Sequence, residues 1–303
     1  MQNYNIGIIG AGKLGLSLAM ALESINSLNC MVIKPEQNLP ALTRYFEKKI
    51  SIYTSLSELQ SIPQILFLTV NDSSIESVAS QLANQFGKML KDKIIVHCSG
   101  FLGLDVLAQC KAEGAVKVSA HPYQTFFEPA KELFKGISWG IESEGSVEII
   151  SDIIRQIGGN PVKLNFSKKE DKAMYHASAV AVSNSMTASI DMAKDIFEKL
   201  GVDAEQFILP ILKTTLENNF SQSEKKFDFP LTGPFARGDI ETIKLHIKAL
   251  EHDNYLLKSY CYLGLGTLEA SIHHKLIDVS KYKEISDILT EILVEKKIFI
   301  SYH

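Results

Sequence analysis

Short hydrophobic runs alternate with longer segments of helical periodicity through the first half of the chain. The runs are rich in Ile, Val and Leu, which is typical of parallel strands that are buried on both faces. This alternation predicts a doubly wound α/β sheet of the Rossmann type, with helices on both sides. The predicted strands are Asn5–Ile9, Cys30–Ile33, Ile65–Thr69, Ile94–His97, Val116–Ala120, Trp139–Glu142 and Val162–Leu164, with Ser51–Tyr53 weaker; the helices between them include Leu14–Ile25, Ser73–Phe86 and Val147–Ile157.

From residue 166 onward the hydrophobic pattern is helical. Ser167 and Glu170 have the spacing of a capping box, which starts a helix. The helix is predicted to continue to about Leu200, and its middle is rich in small and apolar residues, as in a helix that packs inside a bundle or against a second subunit. We therefore expect two domains, with boundaries at 1–165 for the α/β domain and 166–303 for an all-helical domain that forms a homodimer.

A glycine-rich turn lies between the first strand and the first helix. The sequence G-A-G-K-L-G follows the strand N-I-G-I-I directly. Gly10 permits the tight turn, Gly12 lets a pyrophosphate approach the backbone, and Gly15 lets helix and strand pack closely. The start of the helix offers N–H groups and a positive dipole end to phosphates. This placement predicts a dinucleotide site formed by Gly10, Ala11, Gly12, Lys13, Leu14 and Gly15, together with Thr69, Val70 and Asn71 at the end of another strand.

The residue after the second strand indicates which dinucleotide is bound. Sites for NAD usually have Asp or Glu there, which binds the ribose hydroxyl groups. In this chain the strand ends at Lys34, and a cation there suits the additional 2′-phosphate of NADP. Lys34 thus favours NADP, while nearby Glu36 keeps NAD possible.

Two other strand ends carry polar groups that a buried strand does not need. They are H-C-S-G at residues 97–100 and A-H-P-Y-Q-T-F at residues 120–126. Histidine exchanges protons near neutral pH, so His121 is a candidate general acid or base. Ser99 is a candidate to share a proton with it. The alternatives are a histidine that only hydrogen-bonds its own loop and a serine that only forms a turn.

The long helix carries a polar stripe on an otherwise apolar surface. At 100° per residue, Lys172 and His176 lie on the same stripe as Ser183 and Thr187, with Asn184 at its edge. Such a stripe usually lines a cavity. Lys172 and His176 are therefore candidate catalytic residues, although an exposed lysine and a core histidine would have the same pattern.

A loop rich in proline and glycine is predicted at residues 230–239. Its single cation, Arg237, could bind a substrate carboxylate through its planar guanidinium group or pair with Asp239, which could also cap the next helix. Arg237, Thr232 and Asn184 are the candidate substrate-binding residues.

Composition and charge exclude several classes of function. The chain has 303 residues, a net charge of −4 and a pI near 6.1, so nucleic acid and anionic membranes are not expected partners. The four cysteines have no metal-ligand spacing and suggest a reducing compartment; no metal is expected. A signal peptide and an apolar run of about 18 residues are not found, which predicts a cytoplasmic protein.

The motifs together resemble one known family over nearly the whole chain. They are G-A-G-K-L-G, H-C-S-G, A-H-P-Y-Q-T-F, K-A-M-Y-H-A-S-A-V-A-V-S-N and L-T-G-P-F-A-R-G-D. This family pairs a Rossmann domain with a C-terminal domain of unknown function, and its members are considered NADP-dependent oxidoreductases of unassigned substrate. The arrangement is similar to that of pyrroline carboxylate reductase, ketopantoate reductase and the β-hydroxyacid dehydrogenases. The resemblance implies a dimer of helical domains and a substrate between the two domains.

A narrower resemblance concerns prephenate dehydrogenases. H-P followed by E-P-A-K-E-L-F-K-G is similar to their sequence, in which a serine and a histidine act on the substrate hydroxyl group. Ser99 and His121 match those positions, but the residues around them differ, which argues against prephenate itself. Lys172 matches the lysine of the hydroxyacid dehydrogenases in its place on the long helix, without their usual G-x-x-x-K setting.

The sequence therefore predicts hydride transfer between NADP and a small oxo, hydroxy or imino acid. In this interpretation His121 is the acid or base with Ser99 in support, Lys172 and His176 polarise the substrate, and Arg237 binds its carboxylate. The alternative is a dinucleotide-binding sensor or regulatory protein without catalysis, which would need no titratable groups near the nicotinamide.

Overall fold

Eight short hydrophobic segments pair into one sheet in the computed structural model, which describes residues 3–37, 39–48, 50–145, 147–220 and 229–297. The strand order is β3-β2-β1-β4-β5-β6-β7-β8, and the order reverses between β1 and β4. This is the doubly wound order that the sequence pattern predicts. The strands are β1 (Ile6–Ile9), β2 (Leu28–Val32), β3 (Ser51–Tyr53), β4 (Ile65–Leu68), β5 (Ile94–His97), β6 (Val116–Pro122), β7 (Ser138–Ser143) and β8 (Asn160–Lys163).

Helices cover both faces of the sheet. Alternate residues of β1 to β5 enter two separate hydrophobic cores, as in β4, where Ile65 and Phe67 face one core and Leu66 and Leu68 face the other. The first core also contains α1 and α5, and the second contains α3 and α4. The helices of this region are α1 (Lys13–Ser24), α2 (Leu39–Thr43), α3 (Asp72–Phe86), α4 (Ala108–Ala112) and α5 (Glu148–Gln156), with short 3-10 turns at Leu56–Glu58, Gly87–Leu90, Leu104–Leu107 and Lys131–Phe134.

Two strands, β7 and β8, run against the direction expected from the sequence. A fully parallel sheet was the simplest prediction, but β7 is antiparallel to β6, whereas β8 is parallel to β7. The connection from β6 to β7 contains only the 3-10 turn Lys131–Phe134. A parallel pair is usually joined by a crossover that contains an α-helix, and this connection contains none, so it fits a strand that turns back.

The glycine turn brings β1, α1 and β4 into close backbone contact. Gly10 has a φ of +111°, in the region that favours glycine. A Cβ on Gly15 would lie 2.2 Å from the carbonyl oxygen of Gly10, which leaves no space for a side chain there. The hydroxyl of Thr69 donates to the same carbonyl oxygen at 2.9 Å and fixes the end of β4 to the turn.

The long helix α6 (Lys169–Lys199) belongs to two compact units, residues 1–183 and 184–303. The strand-to-helix change lies near the predicted boundary at 165/166, but the first half of α6 packs on the sheet and belongs to the first unit. Asp171 caps the start of α6, because its carboxylate accepts the N–H groups of Ser167 and Lys168 at 3.0 and 2.9 Å. The predicted box used Glu170; since the helix begins at Lys169, Asp171 is the third residue of the helix and takes this role.

The described part of the second unit is helical, as predicted. Its own core is formed by residues such as Ile243, Cys261 and Leu289. The segment 230–239 contains one helical turn where a loop was predicted, since Pro234 starts a helix readily and Gly238 ends it with a φ of +62°. The helices are α7 (Glu205–Phe220), α8 (Pro234–Arg237), α9 (Ile240–Leu250), α10 (Asn254–His273) and α11 (Val279–Lys297).

Asp239 caps α9 as predicted, since its carboxylate accepts the N–H of Thr242 at 3.2 Å. Among the described residues, no helix has both the length and the apolar character needed to cross a bilayer.

We expect Gly15→Ala to destabilise the protein more than Gly12→Ala does. The Gly15→Ala methyl group would meet backbone, so the free energy of unfolding should fall by about 1–3 kcal/mol. Gly12 has ordinary extended dihedral angles at the N-cap, so Gly12→Ala should cost less than about 1 kcal/mol. Urea denaturation followed by circular dichroism measures both values, and an equal loss in the two variants would contradict this account of the turn.

Candidate functional site

A cleft of about 720 Å³ opens at the carboxyl edge of the sheet, where the strand order reverses. The ends of β1, β2 and β4 form its walls together with the first two turns of α3. Of the predicted cofactor residues, the cleft is lined by Gly10, Ala11, Gly12, Lys34, Thr69, Val70 and Asn71. Ligands of open α/β sheets bind at this position.

The floor of the cleft suits a pyrophosphate. No heavy atom of the described residues lies within 4 Å of the point where a Cβ of Gly12 would be, so the backbone there is open to a ligand. The first turn of α1 has no acidic residue, and none of the described side chains caps it. Its free N–H groups and dipole therefore favour an anion, which is the fit that a dinucleotide requires.

The other residues of the glycine motif, Lys13, Leu14 and Gly15, do not line the cleft itself. Gly15 lies against Gly10, and Leu14 packs on the hydrophobic core. Lys13 is exposed, with its Nζ 4.5 Å from the centre of the Phe127 ring in a cation–π contact.

Gln37 links the Lys34 loop to the glycine turn by two hydrogen bonds. The sequence alone did not point to this residue. The Gln37 side chain accepts the N–H of Lys34 at 3.1 Å and donates to the carbonyl oxygen of Ala11 at 3.1 Å. Lys34 itself is exposed at the rim of the cleft. Its place beside β2 is the one from which a ribose phosphate could be reached.

The wall formed by α3 is rich in hydroxyl groups. Ser73, Ser74 and Ser77 line it, with Thr54 and Ser55 on the opposite side. The helix α3 begins at Asp72, so neither Asp72 nor Ser73 is its N-cap residue. Asn71 is therefore the N-cap residue, and it makes no capping hydrogen bond with a described residue.

A second group of polar side chains lies at the ends of β5 and β6, within the same unit. Its deepest member is an ion pair between Lys172 of α6 and Glu142 of β7, with Nζ and Oε2 2.5 Å apart. The Lys172 side chain is only 4% exposed, and it also donates to the hydroxyl of Ser119 at 2.5 Å. The predicted catalytic lysine is thus occupied by two protein partners, which makes it an anchor between α6 and the sheet.

His121 lies at the end of β6 and is half-buried. Its Nδ1 is 3.1 Å from the hydroxyl oxygen of Tyr175 on α6, within hydrogen-bonding distance. The Tyr175 hydroxyl lies against Gly140 of β7, where a Cβ would come within 2.8 Å of it. Because β7 pairs His121 directly with Gly140, the strand register brings histidine and tyrosine together.

The side chain of His176 lies next to that of His121, over Gly100. Their rings are 5.8 Å apart at nearly right angles. A Cβ on Gly100 would lie 2.4 Å from Nδ1 of His176 and 2.8 Å from Nε2 of His121. Nδ1 of His176 is buried and has no hydrogen-bond partner within the described ranges. Two predicted catalytic residues therefore place nitrogen atoms close over Gly100, where only a glycine leaves room for both rings.

The buried position of these groups determines their protonation. Burial, the nearby His176 and the Lys172 charge together lower the pKa of His121 to about 4, and burial is the largest cause. The pKa of His97 is lowered to about 3, mainly by burial and next by the Lys172 charge. Burial raises the pKa of Tyr175 to about 12. At neutral pH, His121 is therefore a neutral imidazole and Tyr175 a neutral phenol.

Ser99 serves the loop that carries Gly100. Its hydroxyl oxygen accepts the N–H groups of Phe101 at 3.4 Å and Leu102 at 3.2 Å. The side chain is buried and shapes the turn after β5. This is the alternative that the sequence had left open for a serine before glycine.

The remaining predicted residues belong mostly to the second unit. Arg237 is exposed at the end of α8, and its guanidinium is 3.9 Å from the Asp239 carboxylate. Thr232 lines a depression of about 310 Å³ with Asn218 and Asn219. Along the predicted stripe of α6, Lys172 is buried, His176 and Ser183 are half-buried, and Asn184 and Thr187 are exposed.

Sequence reasoning did not identify Tyr175, Glu142, Ser119 or Gly140. Tyr175 and His176 are adjacent in the motif K-A-M-Y-H, but their contacts with β5 to β7 depend on the strand order and register. A glycine within β7 was the one local signal, since a glycine inside a strand often marks close approach of another group. In the described ranges, no group of three or more His, Cys, Asp or Glu side chains is arranged to hold a metal ion.

Solved structures from several organisms have the same fold. A candidate NADP oxidoreductase from Bacteroides fragilis is 20% identical over 88% of this chain and 98% of its own, with a TM-score of 0.72. Protein TM1727 from Thermotoga maritima is 24% identical over 95% and 98%, with a TM-score of 0.60. Pyrroline carboxylate reductase from Plasmodium falciparum, solved with NADP bound, is 18% identical over 94% and 99%, with a TM-score of 0.57.

The family profiles cover most of the chain in two parts, while no curated protein matches it. Residues 1–122 match the Rossmann-like domain. Residues 137–267 match the domain of unknown function DUF2520. The resemblance inferred from the motifs is thereby confirmed, and the chain belongs to the family in which a Rossmann-like domain is followed by DUF2520.

Proposed function

We propose that this protein is an NADP-dependent oxidoreductase that acts on a small oxo, hydroxy or imino acid. The observation that carries the proposal is the combination of two features at one sheet edge. They are the phosphate-binding cleft at β1 and the paired imidazoles of His121, at the end of β6, and His176, which α6 places over Gly100 after β5. Adjacent strands are about 4.8 Å apart, so β5 and β6 lie roughly 10 and 14 Å from the glycine turn. An extended dinucleotide bound at the turn can cover such a distance.

The cleft residues would hold the cofactor as the motif predicts. The Gly10–Gly12 backbone and the start of α1 bind the pyrophosphate, and Lys34 binds the 2′-phosphate. The residues 69–71 support the half that extends toward β5. When bound, NADP supplies or accepts the hydride. The NADP that the Plasmodium falciparum reductase binds supports the same choice for this fold.

The side chains of the protein would donate a proton to the substrate or remove one from it. In the proposal His121 is the acid or base, and His176 makes a second polar contact with the same substrate atom. Lys172 and Ser99 act as positioning residues, because their polar atoms are already bound to Glu142, Ser119 and the loop backbone. Arg237, Thr232 and Asn184 remain the proposed substrate-binding residues. The guanidinium of Arg237 is largely exposed, and a substrate carboxylate would compete there with Asp239, which lies 3.9 Å from it.

We expect NADP to bind at least about tenfold more tightly than NAD. A charged hydrogen bond of Lys34 to the 2′-phosphate is worth about 1.5–3 kcal/mol, and Lys34→Met should remove most of the difference without weakening NAD. Isothermal titration of both cofactors with both proteins measures this. An affinity for NAD equal to that for NADP in the unmodified protein would exclude the preference.

We expect His121→Gln to reduce turnover by about 100-fold while the cofactor Kd stays within twofold. The reason is that general acid–base catalysis contributes about 10²–10⁴-fold, and His121 lies beyond the phosphate-binding cleft. The assay follows NADPH oxidation with a panel of oxo acids and cyclic imines. Cofactor binding without oxidation of NADPH across the panel would favour the sensor over the enzyme.

We also propose that the helical unit forms a homodimer. Large apolar side chains are exposed there, among them Leu209, Ile211 and Phe220 of α7, at 61%, 66% and 78% exposure. Apolar patches of this kind usually mark an interface. Light scattering should give twice the chain mass of 33.6 kDa, and a monomeric mass would reject the dimer.

A further inference from the structure

The segment that follows β2 forms a closed turn at the rim of the cleft. Its sequence is K-P-E-Q at residues 34–37, and the proline stands at the second position, where its fixed φ suits a β-turn. The N–H of Gln37 donates to the carbonyl oxygen of Lys34 at 3.0 Å. The backbone of the turn is therefore closed between its first and its fourth residue.

The side chain of Gln37 closes the same turn a second time. The N–H of Ile33 still bonds to the neighbouring strand, at the carbonyl oxygen of Tyr53. The next N–H, that of Lys34, lies beyond the sheet and donates to Oε1 of Gln37 at 3.1 Å. Gln37 thus supplies the acceptor that the strand no longer provides, and it fixes the backbone at the point where Lys34 leaves the sheet.

The other end of the same amide binds the glycine turn. Nε2 of Gln37 donates to the carbonyl oxygen of Ala11 at 3.1 Å. A carboxamide has both an acceptor and a donor, whereas a carboxylate only accepts and an ammonium group only donates. A glutamine can therefore connect an N–H to a C=O through one side chain, and only one orientation of its amide satisfies both partners. This amide holds Lys34 at a fixed place relative to the turn that would bind the pyrophosphate.

The turn separates two side chains of opposite charge. Lys34, Pro35 and Gln37 line the cleft, whereas Glu36 is exposed and is not among the residues that line it. A carboxylate in the cleft would bind the ribose hydroxyl groups of NAD and repel a 2′-phosphate. The sequence alone leaves Lys34 and Glu36 as competing signals. The shape of the turn decides between them, because it places the cation at the cleft and the carboxylate outside it.

We propose that Gln37 is a positioning residue for cofactor selection, because its amide keeps Lys34 at the cleft and Glu36 outside it, so that the site prefers NADP to NAD. This inference rests on the proposed function and names the residue that sets its cofactor preference. Gln37 acts through Lys34, and Lys34 distinguishes the two cofactors by the 2′-phosphate. The effect of Gln37 therefore belongs to the difference between the two affinities.

The first test measures the Kd of NADP and of NAD by isothermal titration of the full chain. Gln37→Leu removes both hydrogen bonds of the amide at similar side-chain size. We expect the Kd of NADP to rise roughly fivefold to tenfold and that of NAD to change less than about twofold. Gln85→Leu is the matched control, since Nε2 of Gln85 also donates to a backbone carbonyl oxygen, that of Leu56 at 2.7 Å, while Gln85 itself does not line the cleft. It should leave the ratio of the two Kd values unchanged.

The second test is a double-mutant cycle of Gln37→Leu with Lys34→Met. If Gln37 acts through Lys34, Gln37→Leu should change the Kd of NADP by less than about twofold once Lys34 is replaced. A merely structural role of Gln37 would weaken NADP by the same factor with and without Lys34.

A third variant tests the position of the carboxylate. Glu36→Gln should change the Kd of NADP by less than about twofold at about 0.15 M salt, because an exposed charge outside the cleft is largely screened from the cofactor. NADP binding that becomes roughly fivefold tighter or more would show that Glu36 faces the phosphate, which overturns the inference.

The other outcomes separate this inference from the proposed function. An unchanged ratio of Kd values in Gln37→Leu, or an equal loss in both arms of the cycle, overturns the role of Gln37 while NADP-dependent function stands. Equal affinity of the unmodified protein for NAD and NADP overturns the preference and the inference together. Binding of neither cofactor to the unmodified protein overturns the proposed function itself.

Discussion

The ion pair between Lys172 and Glu142 holds the candidate site together, because it fixes α6 against the far strands of the sheet. The residues three and four positions after Lys172 are Tyr175 and His176, which lie on the same face of the helix. Once Nζ is bound to Glu142 and Ser119, these two side chains must lie over β6 and the end of β5. A buried pair of this kind contributes little net stability but is costly to break, about 3–5 kcal/mol when one partner is removed. Its main effect is therefore to fix geometry.

The same pair controls the charge of the site. Lys172 stays compensated by Glu142 and still repels a proton from the two histidines nearest to it, since its charge lowers the pKa of both His97 and His121. Burial acts in the same direction and is the larger cause. A histidine that stays neutral keeps one donor and one acceptor nitrogen at neutral pH, whereas an exposed one would titrate. The packing of α6 on the sheet therefore determines both where the histidines of the site lie and that they stay neutral.

Local sequence signals were sufficient for the first half of the fold and for the cofactor cleft. The strands that lead to Gly10 and Thr69, and Lys34 after β2, could be predicted because each depends on a few adjacent residues. The reversal of β7 follows a connection from β6 that has no α-helix, and the pattern of the strands themselves does not reveal this. The contact between His121 and Tyr175 spans 54 positions and needs both the sheet order and the helix rotation. Lys172 was predicted to be catalytic, and its ion pair with Glu142, which the sequence does not reveal, supports a positioning role instead.

The two family regions meet inside one compact unit, and this explains why neither region alone indicates the chemistry. The Rossmann-like match ends at residue 122, where β6 ends, and the DUF2520 match begins at 137, just before β7. Gly100 and His121 come from the first region, while Tyr175 and His176 come from the second. Two glycines allow these side chains to approach one another. Gly100 leaves space for the imidazoles of His121 and His176, and Gly140 leaves space for the phenol of Tyr175. The strands β7 and β8 therefore complete the sheet and at the same time bring α6 to the reactive edge, so the second region completes the candidate site that the first begins.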